Sequence, residues 1–128
     1  MLCTDDNTVI PEENDKIIMN SIEKAMNEDK LYKRVNLTLD VFAKEIGFNR
    51  YYVSIALNRC THKNFNSCIN EYRVKEAVRI MSEPHSANLT TDAIAFEAGF
   101  NDRQSPHLVF KKITGLSPGD FRKNMVGK

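Results

Sequence analysis

The sequence predicts an all-α fold of about seven helices, in which a two-helix unit occurs twice on either side of a long connecting helix. Three observations predict it. Apolar residues recur at three- and four-residue steps along most of the chain. Capping residues and glycines punctuate those stretches at short intervals. A seven-residue segment returns 52 positions later with five identities. No stretch calls for a strand.

Residues 1–13 are polar, acidic and aperiodic, and Pro11 interrupts them, so a flexible acidic leader or a cut through a linker is expected there, with the folded domain over 14–128. From about Asn14 to Asp29, Ile18, Ile22, Ala25 and Met26 put an apolar stripe on a first, packing helix. Thr38 should cap a second helix, its hydroxyl accepting from free backbone N–H groups; Phe42, Ala43 and Ile46 form its inner face and Gly47 stops it. A third helix begins near Asn49 and runs through Tyr52, Val53, Ala56 and Leu57, read as one face, to a polar break at Thr61 to Asn64. The fourth, from about Asn66, carries Ile69, Tyr72, Ala77, Ile80 and Met81, and Pro84 ends it because proline lacks the N–H that a helix needs. After a loop from Pro84 to Asn88, Thr90 or Thr91 caps a short fifth helix through Ile94, Ala95 and Ala98, stopped at Gly99. The sixth holds Val109, Phe110 and Ile113 and ends at Gly115. Ser117 and Pro118 open a seventh through Phe121, before a basic tail.

The repeat carries the functional argument. Ala43-Lys44-Glu45-Ile46-Gly47-Phe48-Asn49 matches Ala95-Phe96-Glu97-Ala98-Gly99-Phe100-Asn101, and Thr38 matches Thr90. With one residue added in the second loop, Leu57 aligns with Phe110, Thr61 with Thr114, Phe65 with Pro118 and Cys68 with Phe121. A small Ala lets two helices cross closely, and Gly accepts the left-handed angle of a tight turn between them. That is helix-turn-helix geometry, placed at about 38–60 and about 90–114, with the connecting helix at about 66–82.

Composition agrees and excludes alternatives. The chain of 128 residues is 41% hydrophobic, enough for a real core, and its apolar runs fall well short of the roughly 20 residues of a membrane span. No signal-peptide pattern opens it, so a cytoplasmic protein without membrane contact is expected. The net charge is only +1, but residues 1–31 carry three Lys against eight Asp and Glu, whereas the remainder carries fifteen basic against nine acidic residues. That polarity suits a polyanionic partner as well as a merely solvated surface. Cys3, Cys60 and Cys68 are too few and too irregular for a disulfide framework, and Cys60, His62 and Cys68 lack the fourth ligand and paired spacing of a zinc site, so no metal or cofactor is expected. His85 lies in a loop, His62 and His107 have no evident carboxylate partners, and neither a nucleophile motif nor a phosphate-binding glycine loop is present, so an enzyme is not expected.

The second unit, with Ile94-Ala95-Phe96-Glu97-Ala98-Gly99-Phe100, Val109-Phe110-Lys111-Lys112 and Gly115-Leu116-Ser117-Pro118-Gly119-Asp120-Phe121-Arg122, resembles the AraC/XylS family of transcription regulators. The segment Asn70-Glu71-Tyr72-Arg73-Val74-Lys75-Glu76-Ala77 also looks familial, and its spacing, with Tyr32 and Leu37, resembles output domains of hybrid two-component regulators. The likeness covers about residues 15–125. It implies sequence-specific binding of double-stranded DNA, recognition helices in adjacent major grooves about one helical turn, roughly 34 Å, apart, and action on RNA polymerase. It also implies that sensing and dimerisation lie outside this chain. An interaction module that kept the fold and lost DNA binding is the competing expectation.

In that architecture the second helix of each unit presents its outward residues to the groove. The first reader then offers Arg50, Tyr51, Ser54, Ile55 and Asn58 to the groove, where Arg50 and Asn58 can hydrogen-bond to bases or backbone, with Arg59 near phosphate. Ile55 stands where the family often has Arg, which leaves contact with a thymine methyl and partial burial both open. The second reader offers Arg103, which suits guanine, Gln104, which suits adenine, then His107 and Leu108, with Lys111 and Lys112 for phosphate or simple solvation. Pro106 replaces a usual aromatic, Leu108 a usual basic residue, and His62 a usual Gly. With Ser105 as N-cap and Pro106 in the first helical position, the second reader starts a turn late and unstrained, so specificity should lean on the first.

Overall fold

The computed structural model describes residues 12–100 and 105–126. They form seven α-helices: α1 Glu12–Asn27, α2 Leu39–Ile46, α3 Arg50–Thr61, α4 Phe65–Met81, α5 Thr91–Glu97, α6 Pro106–Thr114 and α7 Pro118–Val126. Among the described residues there is no strand, and no helix is long and apolar enough to cross a membrane. Two refinements of the expected elements are short 3-10 turns: Leu31–Lys33 after α1, and Pro84–Asn88 where a plain loop was expected. α1 also starts earlier than the predicted Asn14, while the rest of the expected leader lies outside the described residues.

The chain divides into two compact units. The first comprises the chain up to Leu31 together with Leu37–Cys68. Its core is the predicted stripe of α1 set with the inner faces of α2 and α3: Ile18, Ile22, Ala25, Met26, Phe42, Ala43, Val53, Ala56 and Leu57 are each at most 4% exposed. Phe65, at the start of α4, joins it with its ring centroid 5.3 Å from that of Phe42.

The second unit comprises Ile69–Lys128 and a strap of five residues, Tyr32–Asn36, taken from the segment between α1 and α2. Val74, Ala77, Ile80 and Met81 of α4 meet Ile94, Ala95 and Ala98 of α5, Phe100 and Phe110 in its core, with Phe121 and Met125 of α7 packed against them. α4 is thus a core helix of this unit over most of its length. Between it and the strap lies a polar seam. Arg73 is only 2% exposed. Its Nε donates to the carbonyl of Tyr32 at 2.8 Å and its Nη2 to that of Arg34 at 3.0 Å, with the guanidinium 5.9 Å from the centroid of the Phe100 ring. Glu76, 4% exposed, accepts from Arg79 at 2.8 and 2.9 Å and from Lys33 Nζ at 3.0 Å. Buried charge is tolerated only when paired and fully hydrogen-bonded, and here the strap's backbone supplies part of what is needed.

The sequence repeat extends to individual hydrogen bonds. Thr38 Oγ1 accepts from Val41 N at 3.2 Å and Thr90 Oγ1 from Ala93 N at 3.0 Å, capping α2 and α5. Thr61 donates to the Leu57 carbonyl at 2.6 Å, and Thr114 donates to that of Phe110 at 2.7 Å. The same two hydroxyls accept from Lys63 N and Leu116 N, each at 3.2 Å, folding the chain back after the helix. Asn64 and Ser117 then cap α4 and α7 by accepting from Ser67 N and Asp120 N.

Candidate nucleic-acid interface

The turn between α2 and α3 is set by Gly47, whose φ of 82° lies in the left-handed region. Its N–H satisfies the carbonyls of Ala43 and Lys44, which the end of α2 leaves open. Two residues later Asn49 starts α3, its side chain accepting from Tyr51 N at 2.8 Å. The spacing of Val53, Ala56 and Leu57 fixes how α3 is rotated: these three are buried at 0, 0 and 2% exposure, so the opposite face must be wet.

On that outer face Arg50, Tyr51, Ser54 and Asn58 are exposed and Ile55 is half-buried. Tyr52, expected on the inner face, is 46% exposed and forms an edge-to-face pair with Tyr51, centroids 5.6 Å apart. The correction follows from helix geometry: a residue just before an inward i, i+3, i+4 set is turned about 100° away from its first member. Arg50 Nη1 reaches the carboxylate of Asp40 on α2, at 3.0 Å. Sequence reading missed Asp40, because a pairing between two helices leaves no local periodic mark.

Arg59 is drawn to the opposite side, where Nη1 bonds Asp15 Oδ2 of α1 at 3.2 Å. Asp15 is 4% exposed and its Oδ1 has no hydrogen-bond partner, so Arg59 has a structural duty independent of any phosphate. Nearby, burial first and then the Asp15 charge push the Cys60 thiol up from its ordinary value. Among the described residues no group of three or more His, Cys, Asp or Glu is placed to hold a metal ion.

In the second unit, α6 begins at Pro106 with Ser105 as N-cap, its hydroxyl accepting from Leu108 N at 3.3 Å. That is the unstrained late start expected from the sequence. α6 has nine residues against twelve in α3. His107, Leu108, Lys111 and Lys112 are exposed, and Phe110 anchors the helix at 1% exposure. Arg103 and Gln104 lie outside the described residues.

A family model described as a helix-turn-helix domain matches residues 42–124, from within α2 to within α7. The chain belongs to the AraC-type helix-turn-helix family. As an AraC-type chain it is similar to an "Uncharacterized HTH-type transcriptional regulator in cgkA 5'region" of Pseudoalteromonas carrageenovora, 27% identical over 69% of this chain and 50% of that protein. It is also similar to the "Uncharacterized transcriptional regulatory protein YesN" of Bacillus subtilis (strain 168), 33% identical over 72% of this chain and 25% of that protein. The chain therefore spans half the length or less of these relatives. Among solved structures, the C-terminal domain of the two-component response regulator yesN from Fusobacterium nucleatum has a TM-score of 0.65 at 23% identity, covering 86% of this chain and 98% of that one. The C-terminal domain of AraT, a response regulator from Geobacillus stearothermophilus, has a TM-score of 0.64 at 20% identity, with 84% of each chain covered.

Proposed function

We propose that this AraC-type chain reads the sequence of double-stranded DNA and serves as the output part of a transcription regulator, recruiting or excluding RNA polymerase on a signal received elsewhere. The observation that supports it most is the outer face of α3. Arg50, Tyr51, Ser54 and Asn58 are carried by a helix whose inner face is buried, and all four are themselves exposed. Each is a hydrogen-bonding group of the kind that reads base edges in a major groove. Ile55 supplies apolar contact at the edge of the same face, and Lys111 and Lys112 are the proposed phosphate neighbours, whereas the phosphate role expected of Arg59 gives way to its pairing with Asp15. Arg103, Gln104 and His107 are the proposed readers of the second unit.

The short α6 gives the first unit the larger share of specificity. One titration tests the whole reading: the domain against a random duplex library at two salt concentrations, with the bound fraction sequenced. Each phosphate neutralised contributes about −0.9 to the log-log salt slope. Two enriched elements about 10 base pairs apart are expected if both units read, and one short element if only α3 does. Absence of both enrichment and salt dependence would reject DNA reading by this domain.

A further inference from the structure

The Arg50 guanidinium is held from a neighbouring helix. Its Nη1 donates to both oxygens of Asp40 on α2, at 3.0 and 3.3 Å, and the two side chains are each 64% exposed. An ion pair this open adds little to stability, because water screens the attraction and both side chains lose freedom in forming it. Asp40 is also awkwardly placed for a polyanion, since a carboxylate beside a reading helix repels phosphate. Its position in the first turn of α2 gives it a modest favourable interaction with that helix's dipole, which is the plain structural role.

The geometry offers a second role. A carboxylate on Nη1 fixes the plane of a planar, forked cation that otherwise swings on a long stem. It leaves the edge formed by Nε and Nη2 to meet another pair of acceptors, and guanine presents such a pair, O6 and N7, in the major groove. We propose that Asp40 is a positioning residue for Arg50: it orients the guanidinium toward a guanine and so sharpens discrimination at one base pair while weakening attraction to DNA in general. The proposal rests on the DNA-reading function above.

The two are separated by measuring wild type, Asp40→Asn, Arg50→Ala and the double variant against the selected duplex and its single-base-pair substitutions, alongside thermal unfolding. Wild type should prefer G·C at one position, and Arg50→Ala should lose that preference. Asp40→Asn should reduce it about fivefold or more, in keeping with what one bidentate contact is worth, while affinity for random duplex stays level or rises. In the Arg50→Ala background Asp40→Asn should have no further effect on preference. A wild type without any sequence preference would reject the function itself. A selective wild type whose preference survives Asp40→Asn, or Arg50→Ala, would overturn the positioning role alone. So would an Asp40→Asn variant that loses only thermal stability and binds all duplexes proportionally less.

Discussion

Gly47 and Gly99 occupy matching places in the two repeats, and both have positive φ, but different surroundings constrain them. A Cβ at Gly47 would meet nothing within 4 Å, so Gly47→Ala is predicted to cost only the left-handed backbone penalty, about 1 kcal/mol. A Cβ at Gly99 would fall 2.2 Å from the Tyr32 carbonyl oxygen and 2.9 Å from Arg73 Nε, the two atoms of the buried seam. Gly99→Ala should therefore cost about 2–5 kcal/mol, adding steric overlap to the backbone term. Urea midpoints of the two variants check the ranking; equal losses would mean that the strap yields freely. His62 shows the converse case. It closes α3 at φ 58°, a conformation glycine adopts without strain, and the side chain is exposed. His62→Gly is expected to gain about 0.5–1 kcal/mol and to raise the melting temperature by a few degrees.

The two reading helices differ because of three residues. Ser105 and Pro106 start α6 late, and Ser105→Ala is predicted to cost about 1 kcal/mol through the lost cap. Pro106→Phe should tighten duplex binding without raising stability, since Pro106 already sits unstrained at the first helical position. No gain in affinity would count against a weakened second reader. Leu108, 65% exposed, completes the contrast. These features were legible in the sequence because caps, prolines and apolar stripes are local: Thr38, Thr90, Ser105 and the stripe of α1 all do what their spacing implies. Contacts between elements distant in sequence were not legible. Nothing around Arg59 announces Asp15, nothing around Arg50 announces Asp40, and a helix pattern cannot tell that Arg73 and Glu76 are buried beside segment 32–36. Tyr52 was misplaced for a related reason, lying at the border of the inner face where periodicity is ambiguous.

For the molecule as a whole, stability in acid should depend on Glu76. Arg79 and then Lys33 hold its carboxyl down at about 2, against burial that pushes it up. Because the folded value lies below the ordinary carboxylate value of about 4.3, the group's stabilisation is complete above that pH and is lost as pH falls through about 2. Glu76→Gln is therefore expected to lower the melting temperature at neutral pH and to flatten its fall between pH about 4 and 2; an unchanged acid limb would assign that fall to other carboxylates. The strap has a further consequence, for how such regulators recombine. A crossover that exchanges only the stretch from α4 to α7 would leave Arg73 and Glu76 facing Tyr32 to Asn36 of a different parent. A functional chimera has to inherit Tyr32–Asn36 and the stretch from Ile69 onward from the same parent, two pieces of gene that lie apart in the sequence.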